Sequence, residues 1–410
     1  MKLTDYEKSI LAGDFGDEAK KILEVIVKVY EIHDAKDFVN VKEAMLASTQ
    51  NMTLSGTLGV DFLNRLADSG IRFKVKTVVD PVSIDLEGWQ RLGIPGDFAA
   101  NQMKSVSALI KLGVVPMWTC VPYLTGSIHR YGDHVSYVET SVVCFINSYF
   151  GARTNREMDI TAMAAAITGR TPCYGMHLAD HREGELLVNV DVPLASTSDY
   201  DALGNTIGKI AKTRIPVFKN VPRDVSVQAL MQLSASVATT GAVPLFHIFD
   251  VTPEIIYDPQ KYGRKRISEE ITIGKNDLEK AYQELNTTRS REIDFVSIGC
   301  PHYTIDKLRE IAAFLEGKKI KKGVEVWVCT SRANRNLARE SGVVQAIENT
   351  GARVVVDTCM VLAPIKEMGF RTMATDSAKA QFYVSGAGLG VRFGDTRKCL
   401  QAGLTGKWEE

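Results

Sequence analysis

With 410 residues, the chain is too long for one typical hydrophobic core and long enough for two or three α/β lobes. Lys plus Arg equal Asp plus Glu at 49 each, so no net field favours nucleic acid or an anionic membrane as a partner. The N-terminus lacks an apolar signal core and no apolar run reaches the ~18 residues of a membrane span, which points to a cytoplasmic location. Seven cysteines, an odd number without a CxxC pair, argue against a disulfide framework or a zinc ribbon.

In chain order, residues 5–32 read as a helix or helix pair, with apolar side chains at helical spacing through Ile22, Leu23, Val25, Ile26, Val29 and Tyr30. A Gly- and Thr-containing stretch over 48–59 leads to a short helix over 60–69. The alternating run 72–79 (RFKVKTVV) reads as a strand that ends at the turn Asp80-Pro81. Residues 112–120 (LGVVPMWTC) read as a buried strand, with Pro116 marking an edge or a bulge. A small-residue helix is expected over 158–167 and a loop-rich stretch over 193–219, with a soft boundary near Pro222. Beyond it, 294–299, 324–328 and 353–356 are β-branched strands, separated by helices over 304–316, 333–340 and 343–349. That alternation is the pattern of parallel βαβ units. The expected division is an N-terminal α/β part over 1–221, a connecting lobe over 222–290 and a βαβ lobe over 291–410.

Three of the expected strands run into a cysteine and a turn: Thr119-Cys120-Val121-Pro122, Gly299-Cys300-Pro301-His302 and Thr358-Cys359-Met360. In open α/β sheets, ligands bind beyond the carboxyl ends of the strands, so three such thiols can converge on one metal centre. Cys329 shares the strand-end position and makes a fourth candidate. A free cysteine is more often a small buried hydrophobe, and Cys144, Cys173 and Cys399 are assigned that role.

The phrases WTCVPY (118–123), NSYFGARTNR (147–156), AAAITGRTP (164–172), TGAVPLFHIFDVTPE (240–254), GCPHYT (299–304) and DTC (357–359) resemble the aconitase X family in order and spacing. The resemblance runs from about residue 40 to SGAGLGVRFG (385–394). It implies the large-subunit architecture of the aconitase superfamily, α/β with several lobes of mostly parallel sheet around a central cluster cleft. It also implies a hydro-lyase with an iron–sulfur cluster held by Cys120, Cys300 and Cys359, which returns Cys329 to a packing role. The cluster would be 4Fe–4S, with 3Fe–4S or 2Fe–2S as forms of the isolated protein.

Further positions follow from the same resemblance. Glu139, opening the stretch Glu139-Thr140-Ser141-Val142, and Lys379 stand where the family carries catalytic groups. Thr49, Gln50 and Asn51, the pair Asp80-Pro81, Thr140 and Arg153 are expected to contact substrate, with Arg156 a companion anion clamp. His177 and His181 could share a helical face, in a structural role, and His302 could hydrogen-bond a cluster sulfide. Family members use a serine base on a small swivelling domain, and fused members are longer than this chain. A small partner subunit supplying that Ser is therefore expected. The substrate is a small hydroxy acid, with mevalonate 5-phosphate ahead of cis-3-hydroxy-L-proline. Two competing readings are an inactive iron–sulfur scaffold and a metal-free cysteine enzyme built on Cys120 or Cys300 with His302.

Overall fold

The computed structural model describes residues 1–257 and 267–409. Helices Asp5–Ala12 and Gly16–Ile32 form the expected pair. Thr4 and Glu7 close a capping box on the first, and Gly13, at φ 99°, ends it. Strand β1 (Phe38–Asn40) pairs antiparallel with β5 (Arg170–Pro172). Beside them β2 (Glu43–Leu46) lies between β3 (Lys76–Val79) and β4 (Ser136–Tyr137) in a parallel sheet. All four residues of β2 are buried, as expected for a parallel strand covered on both faces.

A second sheet is wholly parallel, in the order β8–β7–β6–β9, from β6 (Leu186–Val190), β7 (Pro216–Lys219), β8 (His247–Ile248) and β9 (Glu269–Ile273). Helices Thr197–Ala211 and Val227–Gly241 pack against each other beside it. The third sheet contains β10 (Phe295–Tyr303), β11 (Glu325–Thr330), β12 (Arg353–Val355), β13 (Thr372–Thr375) and β14 (Gly390–Phe393), again all parallel. Its order is β12–β11–β10–β13–β14. The chain moves outward from β10 to β12, then crosses back to β13, so the strand order reverses between β10 and β13. A crevice opens at the carboxyl ends of strands at such a switch point.

Four expectations need correction. Residues 112–120 form no strand: Leu112 ends the helix Gly96–Leu112, and only Val115 bridges to Val78. Pro116 cannot donate to a ladder, and Trp118 takes a positive φ of 46°. The stretch 193–219 is not mainly loop. Ser196 and Asp199 build a capping box that starts the helix Thr197–Ala211, and β7 follows. The boundary drawn near Pro222 therefore falls inside one sheet, between β7 and β8. The short helix expected over 60–69 is the second part of Met52–Asp68, which kinks at Gly56, φ 58°.

The lobes share their cores. One apolar cluster joins Met45, Val78 and Tyr137 of the first sheet to Leu186, Phe218 and Leu233 of the second lobe. Another joins Ile84, Leu92 and Ile94 to Phe295, Trp327 and Val355 of the third. The buried Arg182 guanidinium adds a polar tie, donating to the carbonyls of Asn147 and Met176 and to Glu254. The surfaces that meet at the crevice are thus held by continuous packing. Among the described residues, no helix is long and apolar enough to cross a membrane.

Candidate active site

A cavity of about 650 Å³ lies where the first and third lobes meet. The first lobe lines it with Asp80, Pro81, Cys120, Glu139, Thr140, Arg156 and Asp159; the third with Cys300, Cys359, Leu362, Lys379 and Tyr383. Cys300 sits in β10 where its register against β11 shifts between Ile298 and Tyr303. Gly299 permits that irregularity: its φ is +94°, and a Cβ there would lie 2.3 Å from the Cys329 carbonyl oxygen. Cys359 follows β12 in a turn whose Leu362 and Ala363 amides donate to its carbonyl. Cys120 comes from irregular chain, tied to β3 through the Thr119 amide, which donates to the Val79 carbonyl.

His302 joins the three cysteine segments. Its backbone N–H donates to Cys120 Sγ at 3.3 Å. Its Nε2 meets the Thr358 carbonyl at 3.2 Å and its Nδ1 meets Thr119 Oγ1 at 2.9 Å. A carbonyl can only accept, so Nε2 carries the proton and Thr119 donates to Nδ1. Burial lowers the His302 pKa to about 4, which suits this neutral tautomer. The imidazole is therefore spent on Thr119 and Thr358, rather than pointing at a cluster sulfide.

The thiols differ in charge. The Cys359 thiol hydrogen-bonds Cys300, and with Lys379 nearby this holds Cys300 below the ordinary cysteine value despite burial. The same hydrogen bond and burial push Cys359 up, and burial pushes Cys120 up. Of the two, Cys300 is thus the more easily ionised. Cys329 is a buried neighbour, raised to about 12 by burial, and its side chain contacts Ser297.

Glu139 and Lys379 meet across the cavity as a buried ion pair. Glu139 caps the helix Thr140–Phe145, accepting from the Val142 amide at 2.8 Å and from Ser141 Oγ at 2.6 Å. Burial alone would raise its carboxyl, but Lys379 and these donors outweigh it and hold the pKa low. Burial likewise works against the Lys379 ammonium, and Glu139 with Cys300 overcomes it. Asp80 behaves oppositely. Burial, then the Glu139 charge, pushes its carboxyl well above the usual range, and its Oδ1 has no hydrogen-bond partner among the described residues.

Of the residues expected to contact substrate, Asp80, Pro81 and Thr140 line the cavity. Thr49, Gln50, Asn51 and Arg153 do not. The Asp159 carboxylate gathers the amides of Ala47, Ser48 and Thr49 and the Thr49 hydroxyl, so this loop is pinned from below. Gln50 is buried, and Asn51 caps the helix Met52–Asp68. Arg153 turns outward to donate to the His177 carbonyl at 3.2 Å. His177 pairs with His134, Nδ1 to Nδ1 at 2.9 Å, and lies in a separate turn from His181. The lining residues Ser48, Glu157, Met158, Asp159 and Tyr383 carried no signal in the sequence beyond adjacency to recognisable phrases.

Three lobes of mostly parallel sheet, a topological switch point and three cysteines on one cavity define an aconitase-like class of protein. Models of the aconitase X first, second and third domains match residues 1–180, 184–283 and 293–405, so the chain belongs to the aconitase X family. It is 36% identical to the "Phosphomevalonate dehydratase large subunit" of Methanocaldococcus jannaschii, over 98% of this chain and 100% of that one. It is 29% identical to the "Cis-3-hydroxy-L-proline dehydratase" of Pseudomonas aeruginosa, over 99% of this chain but 70% of that protein. The crystal structure of Thermococcus kodakaraensis aconitase X in its holo-form superposes with a TM-score of 0.89 at 32% identity, covering 98% of this chain and 100% of that one.

Proposed function

We propose that this chain is the large subunit of a phosphomevalonate dehydratase, a hydro-lyase that removes water from mevalonate 5-phosphate. One observation carries the reading. Cys120, Cys300, Cys359 and the Lys379–Glu139 pair share one cavity, in a chain that matches a relative of that name from end to end. The hydroxyproline reading is weaker, because identity to that relative is 29% against 36% for the phosphomevalonate dehydratase large subunit. An inactive scaffold would have no use for a buried Lys379–Glu139 pair, which costs desolvation to maintain.

The residues fit an iron–sulfur cluster. Cys120, Cys300 and Cys359 are sulfur donors on one cavity, and Cys300 is held below the ordinary cysteine value by Cys359 and Lys379. No three His, Cys, Asp or Glu side chains among the described residues are grouped closely enough to hold a single ion. The three thiols, all on one cavity, would hold an iron–sulfur cluster. When bound through three cysteines, such a cluster supplies an open iron that acts as a Lewis acid on a carboxylate and a leaving hydroxyl.

The chain's own groups then divide the work. Lys379 remains charged and orients the substrate carboxylate, while Glu139 fixes its ammonium in place. Asp80, kept protonated by burial, holds a proton on a carboxyl with an uncommitted oxygen, suited to the departing hydroxyl. The base that takes the carbon-bound proton is a serine of a small partner subunit.

The test is to co-express the chain with its small partner, purify it without air and supply each candidate acid. Dehydration of mevalonate 5-phosphate, with cis-3-hydroxy-L-proline untouched, is the expected result. An iron-replete complex that leaves mevalonate 5-phosphate intact would falsify the assignment.

A further inference from the structure

We infer that Arg156, at the mouth of the cavity, is the anchor for the substrate's phosphate; the inference rests on the mevalonate 5-phosphate reading above. The cavity has a buried end and an open end. Cys120, Cys300, Cys359, Asp80, Glu139 and Lys379 are all buried, whereas Arg156 is exposed. In mevalonate 5-phosphate the carboxylate and the leaving hydroxyl lie towards one end of a short chain and the phosphate at the other. With the reacting end seated among the buried groups, the phosphate is directed towards the mouth.

A phosphate dianion needs a cation or a set of free donors there. Of the described residues that line the cavity, only Arg156 and Lys379 are cationic. Lys379 lies at the buried end, paired with Glu139, where it is already assigned to the substrate carboxylate. The N-terminus of the helix Met52–Asp68 also borders the cavity, a position that favours anions in general. Its amides are occupied, however: Met52 donates to Gln102, Thr53 to Asn51 and Ser83, and Leu54 to Asn51. Arg156 makes no side-chain hydrogen bond or ion pair among the described residues.

The backbone that presents it is fixed. On one side, Asn155 accepts from the Met176 amide at 2.8 Å and donates to the Tyr174 carbonyl at 3.2 Å. On the other, the Glu157 amide donates to Tyr137 at 3.0 Å. The neighbouring acids are committed elsewhere. Asp159 holds the 47–49 loop, while Glu157 accepts from Thr161 and is raised by burial towards its neutral form. A free guanidinium on a fixed base suits bidentate phosphate recognition, which Lys reproduces poorly.

The experiment uses the anaerobic complex of this chain with its small partner, carrying wild-type, Arg156→Gln or Arg156→Lys sequence. For Arg156→Gln, KM for mevalonate 5-phosphate should rise roughly tenfold to a hundredfold, more than any fall in kcat. Arg156→Lys should recover part of that loss. Inorganic phosphate should inhibit the wild-type complex competitively and the Gln variant much more weakly. Subunit association, measured by gel filtration, should not change. An unchanged KM, equal inhibition by phosphate, or a KM rise that tracks dissociation of the partner overturns the inference while leaving the assigned reaction standing. A wild-type complex inert towards mevalonate 5-phosphate overturns both.

Discussion

His302 shows how one side chain can organise a site without touching the reaction. Removing its imidazole leaves the Thr358 carbonyl without a donor and the Thr119 hydroxyl proton without an acceptor, although the Val121 amide still donates to that hydroxyl; both residues directly precede a cysteine, Cys120 and Cys359. Each buried polar group so stranded costs about 1–3 kcal/mol, so His302→Ala should lose roughly 2–5 kcal/mol of stability. Its anaerobically purified form should also carry less iron per chain, by metal analysis, because two ligand segments are loosened together. Wild-type iron content and an unshifted denaturation midpoint would refute this. That Cys120, Cys300 and Cys359 share one cavity was expected from the family resemblance, since strand-end position alone also nominated Cys329. The choice between Arg153 and Arg156 was not. The segment is irregular, so no strand or helix period says which of two arginines three residues apart faces the cavity. Thr49–Asn51 was unreadable for another reason: the loop's orientation is set by Asp159, more than a hundred residues away in the chain.

At the scale of elements, the helices Thr197–Ala211 and Val227–Gly241 support the site from behind. Asp201 on the first accepts from the Ala378 amide, which opens the helix bearing Lys379. Gln232 on the second donates to the Cys300 carbonyl at 3.1 Å and to Asp201 at 3.2 Å. Glycines let the two helices touch backbone to backbone. A Cβ at Gly208 would lie 2.1 Å from Thr240 Oγ1 and 2.8 Å from the Val237 carbonyl oxygen. Gly208→Ala gains helix propensity but overfills this crossing, so unfolding should show a net loss of roughly 1–3 kcal/mol. Gly96→Ala, at a helical position with open space around it, is the comparison and should be neutral or slightly stabilising. Equal stability of the two variants would show that the helices can separate without penalty. The same glycines explain part of what was missed. Gly204 and Gly208, among Ser and Asp residues, read as loop, because local propensity carries no record of the partner helix. The strands of the third lobe were plain, since β-branched runs alternating with amphipathic helices need no distant partner to be recognised.

At the scale of the molecule, the cavity exists only while the lobes that line it stay folded, and the first two contain buried neutral histidines. His247 Nε2 donates to the Arg182 carbonyl, and within the first lobe His177 pairs with His134 beside Arg153. Burial lowers His177 to about 3 and His247 to about 4. The unfolded chain binds protons at these residues near the ordinary histidine value of about 6.5, and the folded chain does not. Their contribution to stability is therefore complete above pH ~6.5 and lost as pH falls from there towards ~4 and ~3, the unfolded state holding more protons throughout that window. Between pH 7 and pH 5 each histidine should remove about 2 kcal/mol from the unfolding free energy. Replacing His177 with Asn removes one of these sites, so urea denaturation of that variant should show about 2 kcal/mol less loss over the same interval. Carboxylates titrate in both proteins, and the difference between the two isolates the histidine. If the Asn variant lost as much stability as the wild type, acid sensitivity would have to come from other groups. The first lobe, and with it the wall of the cavity that carries Cys120, would then be indifferent to the proton on His177.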